Sequence, residues 1–211
     1  MDPAPTTLYD LDREAFGVML DGEPRYRLDQ LWSGLYGQLL HPADITNLPK
    51  ALRGRIDDQL PHALTPVTES VSDRGDTVKF LWELHGGSRV ETVLMLYAGR
   101  ATVCVSSQAG CSMACGFCAT GQAGFTRHLT VGEIVEQVVR SAQRAKQLDR
   151  RVSNIVFMGM GEPMANYRAV IAAVRRMTSP PPAGLGISAR KITVSTVGLV
   201  PRMRQLAAEG I

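Results

Sequence analysis

The chain predicts an α/β fold: about three strand–loop–helix units, laid out as a parallel sheet or part of a (β/α) barrel, behind a β-hairpin and a small N-terminal helical module. Three observations carry this. From Ala101 onward a short apolar strand, a loop and an amphipathic helix follow one another repeatedly. Before that, Val78, Phe80, Trp82 and Leu84, then Val90, Thr92, Leu94 and Leu96, alternate with other residues on either side of the turn His85-Gly86-Gly87-Ser88. Earlier still, Leu28, Leu31, Trp32, Leu35 and Tyr36 recur at the spacing of one helical face. A length of 211 residues, 45% hydrophobic and 20% charged, is enough for one ordinary domain and a smaller one beside it.

Taken in order, residues 1–70 read as the helical module. A first helix covers Asp12 to Leu20, the periodic face above is the second, and a third follows Asn47 with Pro49 near its first turn. That third helix carries Lys50, Arg53 and Arg55, which fit either a solvated face or a patch that contacts phosphates. Residues 66–76 are polar and read as a linker, so 71–100 is taken as linker plus hairpin and 101–211 as the βα region. Thr102 to Val105 is its first strand. Thr130-Val131-Gly132-Glu133 is a capping box, with Leu129 and Ile134 placed as a hydrophobic staple, and it opens a helix burying Val131, Ile134, Val135, Val138, Val139 and Ala142. Asn154 to Met158 is the second strand, and Asn166 is placed to cap the next helix with its side chain. Lys191 to Ser195 is the third strand, and Pro201 starts a helix that Gly210 can end. Functional loops are expected at the C-terminal strand ends.

The chemistry concentrates in Cys111-Ser112-Met113-Ala114-Cys115-Gly116-Phe117-Cys118. Three thiols spaced CxxxCxxC on one loop can hold three irons of a cubic [4Fe-4S] cluster and leave the fourth open to a small molecule. Structural zinc is the alternative, completed by Cys104 or His128. A disulfide framework is disfavoured further, because all four cysteines lie between positions 104 and 118 and cannot staple the whole chain. No apolar run approaches the ~20 residues of a membrane span. The first residues, Met1-Asp2-Pro3-Ala4-Pro5, show no secretory signal, which with free clustered thiols favours the cytoplasm. A net charge of +3 and a pI near 8.8 allow a polyanionic partner without demanding one.

Gly159-Met160-Gly161-Glu162-Pro163 follows the second strand. Its glycines permit close backbone approach to a ligand, Glu162 can accept hydrogen bonds from an amine, and Pro163 holds Glu162 extended. Ser195-Thr196-Val197-Gly198 ends the third strand with hydroxyls that can bind a polar ligand.

The cysteine loop resembles that of the radical S-adenosylmethionine (SAM) superfamily, and the glycine loop one βα unit later resembles its SAM-binding motif. Val103 to Cys111, Gly124-Phe125-Thr126-Arg127, Met158 to Pro163 and Val194 to Pro201 are similar to the RlmN/Cfr family of RNA adenine methyltransferases. Tyr26 to Trp32 and Leu48 to Arg53 are similar to the accessory RNA-binding domain of RlmN-type members. The resemblance implies a radical SAM barrel with a [4Fe-4S] cluster on Cys111, Cys115 and Cys118, and SAM on Gly161, Glu162 and Ser195. Glu91 is implied as proton acceptor, and Cys104 as a second catalytic cysteine that forms a transient disulfide. Carbon 2 of adenine in 23S rRNA and tRNA is the implied target, with carbon 8, as in Cfr relatives, the alternative. An electron donor such as flavodoxin or ferredoxin is implied, and no membrane. Two other readings remain: a glycyl-radical activating enzyme, and a zinc-bound RNA-binding module. The chain ends at Ile211 after three units. The family continues further, through more SAM contacts and a methyl-carrying cysteine, so truncation is expected here.

Overall fold

The computed structural model describes residues 5–211, and the signal reading of the first four residues lies outside them. Helix α1 (Arg13–Met19) begins where Asp12 accepts a hydrogen bond from the Ala15 amide at 2.8 Å. Helix α2 (Tyr26–Trp32) continues into a wider π turn over Ser33–Gln38. The predicted face is buried there: Leu31, Trp32, Leu35 and Tyr36 all face the core. Helix α3 (Lys50–Gln59) follows Pro49 at its N-cap.

The polar stretch expected to be a linker is instead strand β1 (Thr65–Ser72), followed by a single turn over Asp73–Gly75. Every residue of β1 is exposed, so it has no buried face and shows no alternation. Backbone pairing holds it antiparallel to β2 (Thr77–Glu83), with an irregularity beside Pro66, and Glu69 is ion-paired to Arg144 at 3.1 Å. Proline and polar side chains suit such an edge. Strand β3 (Arg89–Tyr97) completes the predicted hairpin and pairs onward with β4 (Arg100–Cys104). A separate ribbon, β5 (Gln108–Gly110) with β6 (Phe125–His128), brackets the cysteine loop and the short helix α4 (Ala119–Gln122). At three and four residues, these strands are too short to show a period in sequence.

Helix α5 (Val131–Gln147) starts on the predicted capping box. Strand β7 (Val152–Phe157), helix α6 (Tyr167–Thr178), strand β8 (Ile192–Val194) and helix α7 (Val200–Ala207) complete the βα units. One six-stranded sheet results, in the order β1-β2-β3-β4-β7-β8, with β4, β7 and β8 parallel. The hairpin therefore extends the parallel sheet, which forms an open arc and not a closed barrel.

Leu94, Val103, Ile155 and Phe157 are buried from one face of this sheet, and Ile134, Val135 and Val138 from α5, in a cluster that also contains Leu31, Leu35 and Ile56 of the helical module. Polar clamps join the module to α5. Asp10 accepts from the Gly132 amide at 2.7 Å, where a helix N-terminus favours a carboxylate, and Glu136 accepts from the Ala63 amide at 2.8 Å. Asn166 does not cap α6 with its side chain. Its amide donates to the carbonyls of Ser107 and Leu129, both at 2.8 Å, tying the start of α6 to these two buried residues. No helix of the described residues is long and apolar enough to cross a membrane.

Candidate active site

Strand register decides which side chains meet. Val93 pairs with Cys104, and Cys104 with Val156, which in turn pairs with Thr193. Side chains two apart on a strand share a face. Glu91 and Cys104 thus lie on the same side of the sheet, the side turned away from the buried core, on adjacent strands. A diagonal pair of this kind is separated by about 7–8 Å. Glu91 is half-exposed, and its carboxylate pairs with Lys79 of β2 at 3.0 Å. Cys104 is the last residue of β4, and burial raises its thiol pKa, partly offset by a hydrogen bond from the Met158 backbone. At neutral pH it is a thiol.

The cysteine loop hangs between β5 and β6. The Cys111 amide donates to the Gly124 carbonyl at 2.8 Å, and the Cys118 amide to the Cys115 carbonyl at 3.0 Å. Cys111, Cys115 and Cys118 are all partly exposed free thiols, and Phe117 beside them is 94% exposed. The backbone amide of Gly121 lowers the Cys118 pKa, towards the thiolate form that binds metal. No group of three or more His, Cys, Asp or Glu among the described residues surrounds a point for a single metal ion. The corners of a cubane stand several ångströms apart and need no such convergence, whereas a zinc ion does. Of the proposed zinc partners, Cys104 sits in the sheet and His128 is hydrogen-bonded to Gln108 at 3.0 Å. The three loop thiols therefore fit a cluster as a donor set. No disulfide joins any of the four cysteines, all of which are free. Three of them are the loop set that the resemblance gives to the cluster.

The glycine loop lies against the segment after β4. Gly159 donates to the Val105 carbonyl at 3.1 Å, Met160 to the Ser106 hydroxyl at 3.0 Å, and Ser107 to the Met160 carbonyl at 2.8 Å. A Cβ on Gly161, whose φ is +98°, would stand 2.5 Å from the Gln108 Cβ. These glycines thus admit the chain's own backbone, where the sequence suggested a ligand. Glu162 is only 3% exposed. Its carboxylate accepts from the Met164 amide at 2.8 Å, the Thr196 hydroxyl at 2.7 Å and the Val197 amide at 2.8 Å. Its own amide donates to Gln108 at 2.8 Å. Glu162 is a brace between the loops after β7 and β8, and three of the roughly four acceptor positions of a carboxylate are used. Ser195 is exposed beyond β8, with its amide directed at the Phe157 carbonyl at 3.4 Å.

Sequence reasoning missed what Gln108, Ser106 and Gln137 do, and offered the Thr196 hydroxyl to a ligand where it donates to Glu162. Ser106 is fully buried, and its hydroxyl donates to the Glu91 carbonyl at 2.6 Å while accepting from Met160. Gln137 of α5 accepts from the Ser106 amide at 2.8 Å and donates to its carbonyl at 3.1 Å. The basic patch of the helical module fares differently. Arg53 donates to the Ala43 carbonyl and Arg55 pairs with Glu23 at 3.3 Å, which leaves Lys50 as its uncommitted cation.

A sheet whose C-terminal edge carries a three-cysteine loop and a braced glycine loop defines a class. The chain belongs to the radical SAM superfamily, whose model matches residues 105–211. It is 52% identical, over its whole length, to a protein of Salinispora tropica named "Probable dual-specificity RNA methyltransferase RlmN", and covers 59% of that protein. A protein of the same name from Nocardioides is 53% identical over 98% of this chain and 57% of its own. The crystal structure of a radical SAM methyltransferase from Sphaerobacter thermophilus superimposes with a TM-score of 0.93 at 47% identity, over 98% of this chain and 61% of that one. The chain thus spans less than two thirds of the length of these relatives.

Proposed function

We propose that this chain forms the cluster- and SAM-binding part of a radical SAM methyltransferase that methylates carbon 2 of adenine in 23S rRNA and tRNA. The observation that supports it most is the register that sets Glu91 and Cys104 on one open face, beside the cysteine and glycine loops. Carbon 2 of adenine is not nucleophilic, and a cluster with SAM supplies the radical chemistry that direct methyl displacement cannot. Cys111, Cys115 and Cys118 hold the cluster. Gly161 and Ser195 offer contacts to SAM, and Glu162 mainly shapes the loop around it through its three internal bonds. Glu91 takes the proton from carbon 2, with Lys79 fixing the carboxylate at 3.0 Å. Cys104, held as a thiol by burial, must lose its proton before it can act as a nucleophile. The adenine has to leave its stack to reach this face. The helical region ahead of β1 contacts RNA, a small flavoprotein or ferredoxin supplies the electron, and the enzyme works in the cytoplasm.

Anaerobic reconstitution with iron and sulfide tests the site. The chain should turn brown, and alanine at Cys111, Cys115 or Cys118 should abolish the colour while Cys104→Ala retains it. Loss of the chromophore in Cys104→Ala would overturn the cluster assignment. In the holoenzyme, mass spectrometry of product RNA should find 2-methyladenosine, and 8-methyladenosine in its place would overturn the carbon-2 assignment.

A further inference from the structure

Parallel strands place their first residues at one end of a sheet and their last at the other. Arg100 opens β4, Arg151 immediately precedes β7, and Arg190 and Lys191 immediately precede β8. They gather at the end opposite the candidate active site. Arg74, in the β1–β2 turn, and Arg150 border a recess there with Leu96 and Tyr97 of β3. All six cations are exposed, and none forms an ion pair among the described residues. Asp73, Asp76 and Asp149 are the acids nearby in the chain, and Asp73 is engaged by the Thr77 hydroxyl at 2.6 Å. The Arg100 guanidinium lies over the Tyr97 ring at 4.7 Å, which limits its freedom and keeps it presented. Lys146, Arg150 and Arg151 also rim a recess of about 290 Å³ between the helical module and α5. Meanwhile Arg53 and Arg55 of the module are held by its own groups.

We propose that this basic end of the sheet is a second RNA-docking surface, which takes the phosphate backbone of a structured RNA whose target base is held at the other end. The inference rests on the RNA reading given under Proposed function. Unpaired guanidinium groups match phosphate in charge and in forked geometry, and binding there releases counterions from the RNA. Contacts of this kind set position without reading sequence. Strands of five and six residues, at ~3.3 Å per residue, separate the two ends by roughly 17–20 Å. An RNA needs two arms to touch both, so a tRNA-sized fold should gain from this surface more than a single hairpin does.

The test compares the 211-residue chain with Arg100→Gln/Arg151→Gln/Arg190→Gln, and with a control of equal charge change at the ion-paired Arg13, Arg144 and Arg175. Filter binding of a full-length tRNA transcript across a potassium chloride series is the readout, with circular dichroism melts to confirm folding. The first triple should flatten the slope of log affinity against log salt by about 2.7, at ~0.9 per duplex phosphate contact, while the control stays close to wild type. Equal losses in both triples would reduce the effect to net charge and overturn the inference. Wild-type slope in the first triple, alongside a loss in Lys50→Ala/Arg53→Ala/Arg55→Ala, would overturn this inference and leave the RNA reading standing. No RNA binding by any form would sink both. A parallel assay with phosphatidylserine vesicles covers the rival partner: vesicle binding lost in the first triple, with RNA binding intact, would overturn RNA docking here in favour of a membrane surface.

Discussion

Replacing Glu162 by Gln should loosen the loop after β8 without unfolding the sheet. The wild-type carboxylate accepts two donors on one oxygen, the Met164 amide and the Thr196 hydroxyl, and one on the other, the Val197 amide. A glutamine can keep its oxygen towards the pair. Its NH2 group then faces the Val197 N–H, donor against donor. The lost bond to a charged acceptor is worth ~1.5–3 kcal/mol, and the two that remain weaken as the acceptor becomes neutral. Relief from burying a charge offsets part of this. A net local loss of ~3 kcal/mol at Val197 is the working figure, about a hundredfold in an opening equilibrium. Hydrogen exchange of the Val197 amide reads it directly and should accelerate by roughly that factor. Thr196→Val removes one hydroxyl donor, costs ~1 kcal/mol and leaves Val197 bonded. If Val197 exchange changes by less than about threefold in Glu162→Gln, or if Thr196→Val has the larger effect, the carboxylate is not the brace described here.

The clamp on α5 and the buried thiol of β4 can be tested in the same way. Gly132→Ala places a Cβ 2.5 Å from the Thr7 hydroxyl and 2.8 Å from the Asp10 amide, so the Asp10 clamp on α5 must give way. Alanine gains ~1 kcal/mol of helix propensity, but the clash and the lost cap should outweigh it, lowering stability by ~2 kcal/mol in urea titrations; a stabilised variant would show that the clamp is slack. Alkylation of Cys104 by iodoacetamide, followed site by site by mass spectrometry, should have a midpoint above that of an ordinary thiol, and Cys118 one below. A thiol whose pKa is raised by folding contributes its stability in full below the unfolded pKa and loses it as pH rises through the folded pKa. The Cys104→Ala variant should therefore lose less stability than wild type on going from neutral to alkaline pH, and an equal loss would contradict the burial argument.

Elements with a buried and an exposed face were legible in the sequence. The α2 face, the two alternating strands and the capping box of α5 all appear where their periods place them. Strand β1 was not, because alternation records burial, and an edge strand exposed on both faces has none to record. Among the site residues, spacing singled out the two loops, whereas Glu91 and Cys104 came only from the family resemblance; the strand register sets these two on one face. What escaped was the work of the polar residues between them. Gln108 is completely buried, yet nothing in its neighbours announces that its amide holds the Glu162 backbone. Glu162 itself was read as a ligand for an amine, because a motif shows residue type and not how many donors already occupy a carboxylate.

These polar residues follow from where the site lies. A strand loses its ladder partners at its end, so the amides and carbonyls just beyond are orphaned in a dry environment and need substitutes. After β4, β7 and β8 the substitutes are side chains: Ser106, Gln108, Gln137, Asn166 and Glu162 together satisfy backbone groups of Ser106 and Ser107, of the glycine loop and of Val197. An apolar filling could not do this, since it would leave the same groups unpaired at ~1–3 kcal/mol each. The consequence is a division of stiffness. The glycine loop, the Glu91 strand and the residues after β8 are tied into one frame by bonds of 2.6–3.0 Å. The cysteine loop is tied to the frame mainly at its two ends, through the β5–β6 ribbon. The seat proposed for SAM is thus cross-braced from several strands, while the loop proposed to hold the cluster is fastened chiefly at its ends.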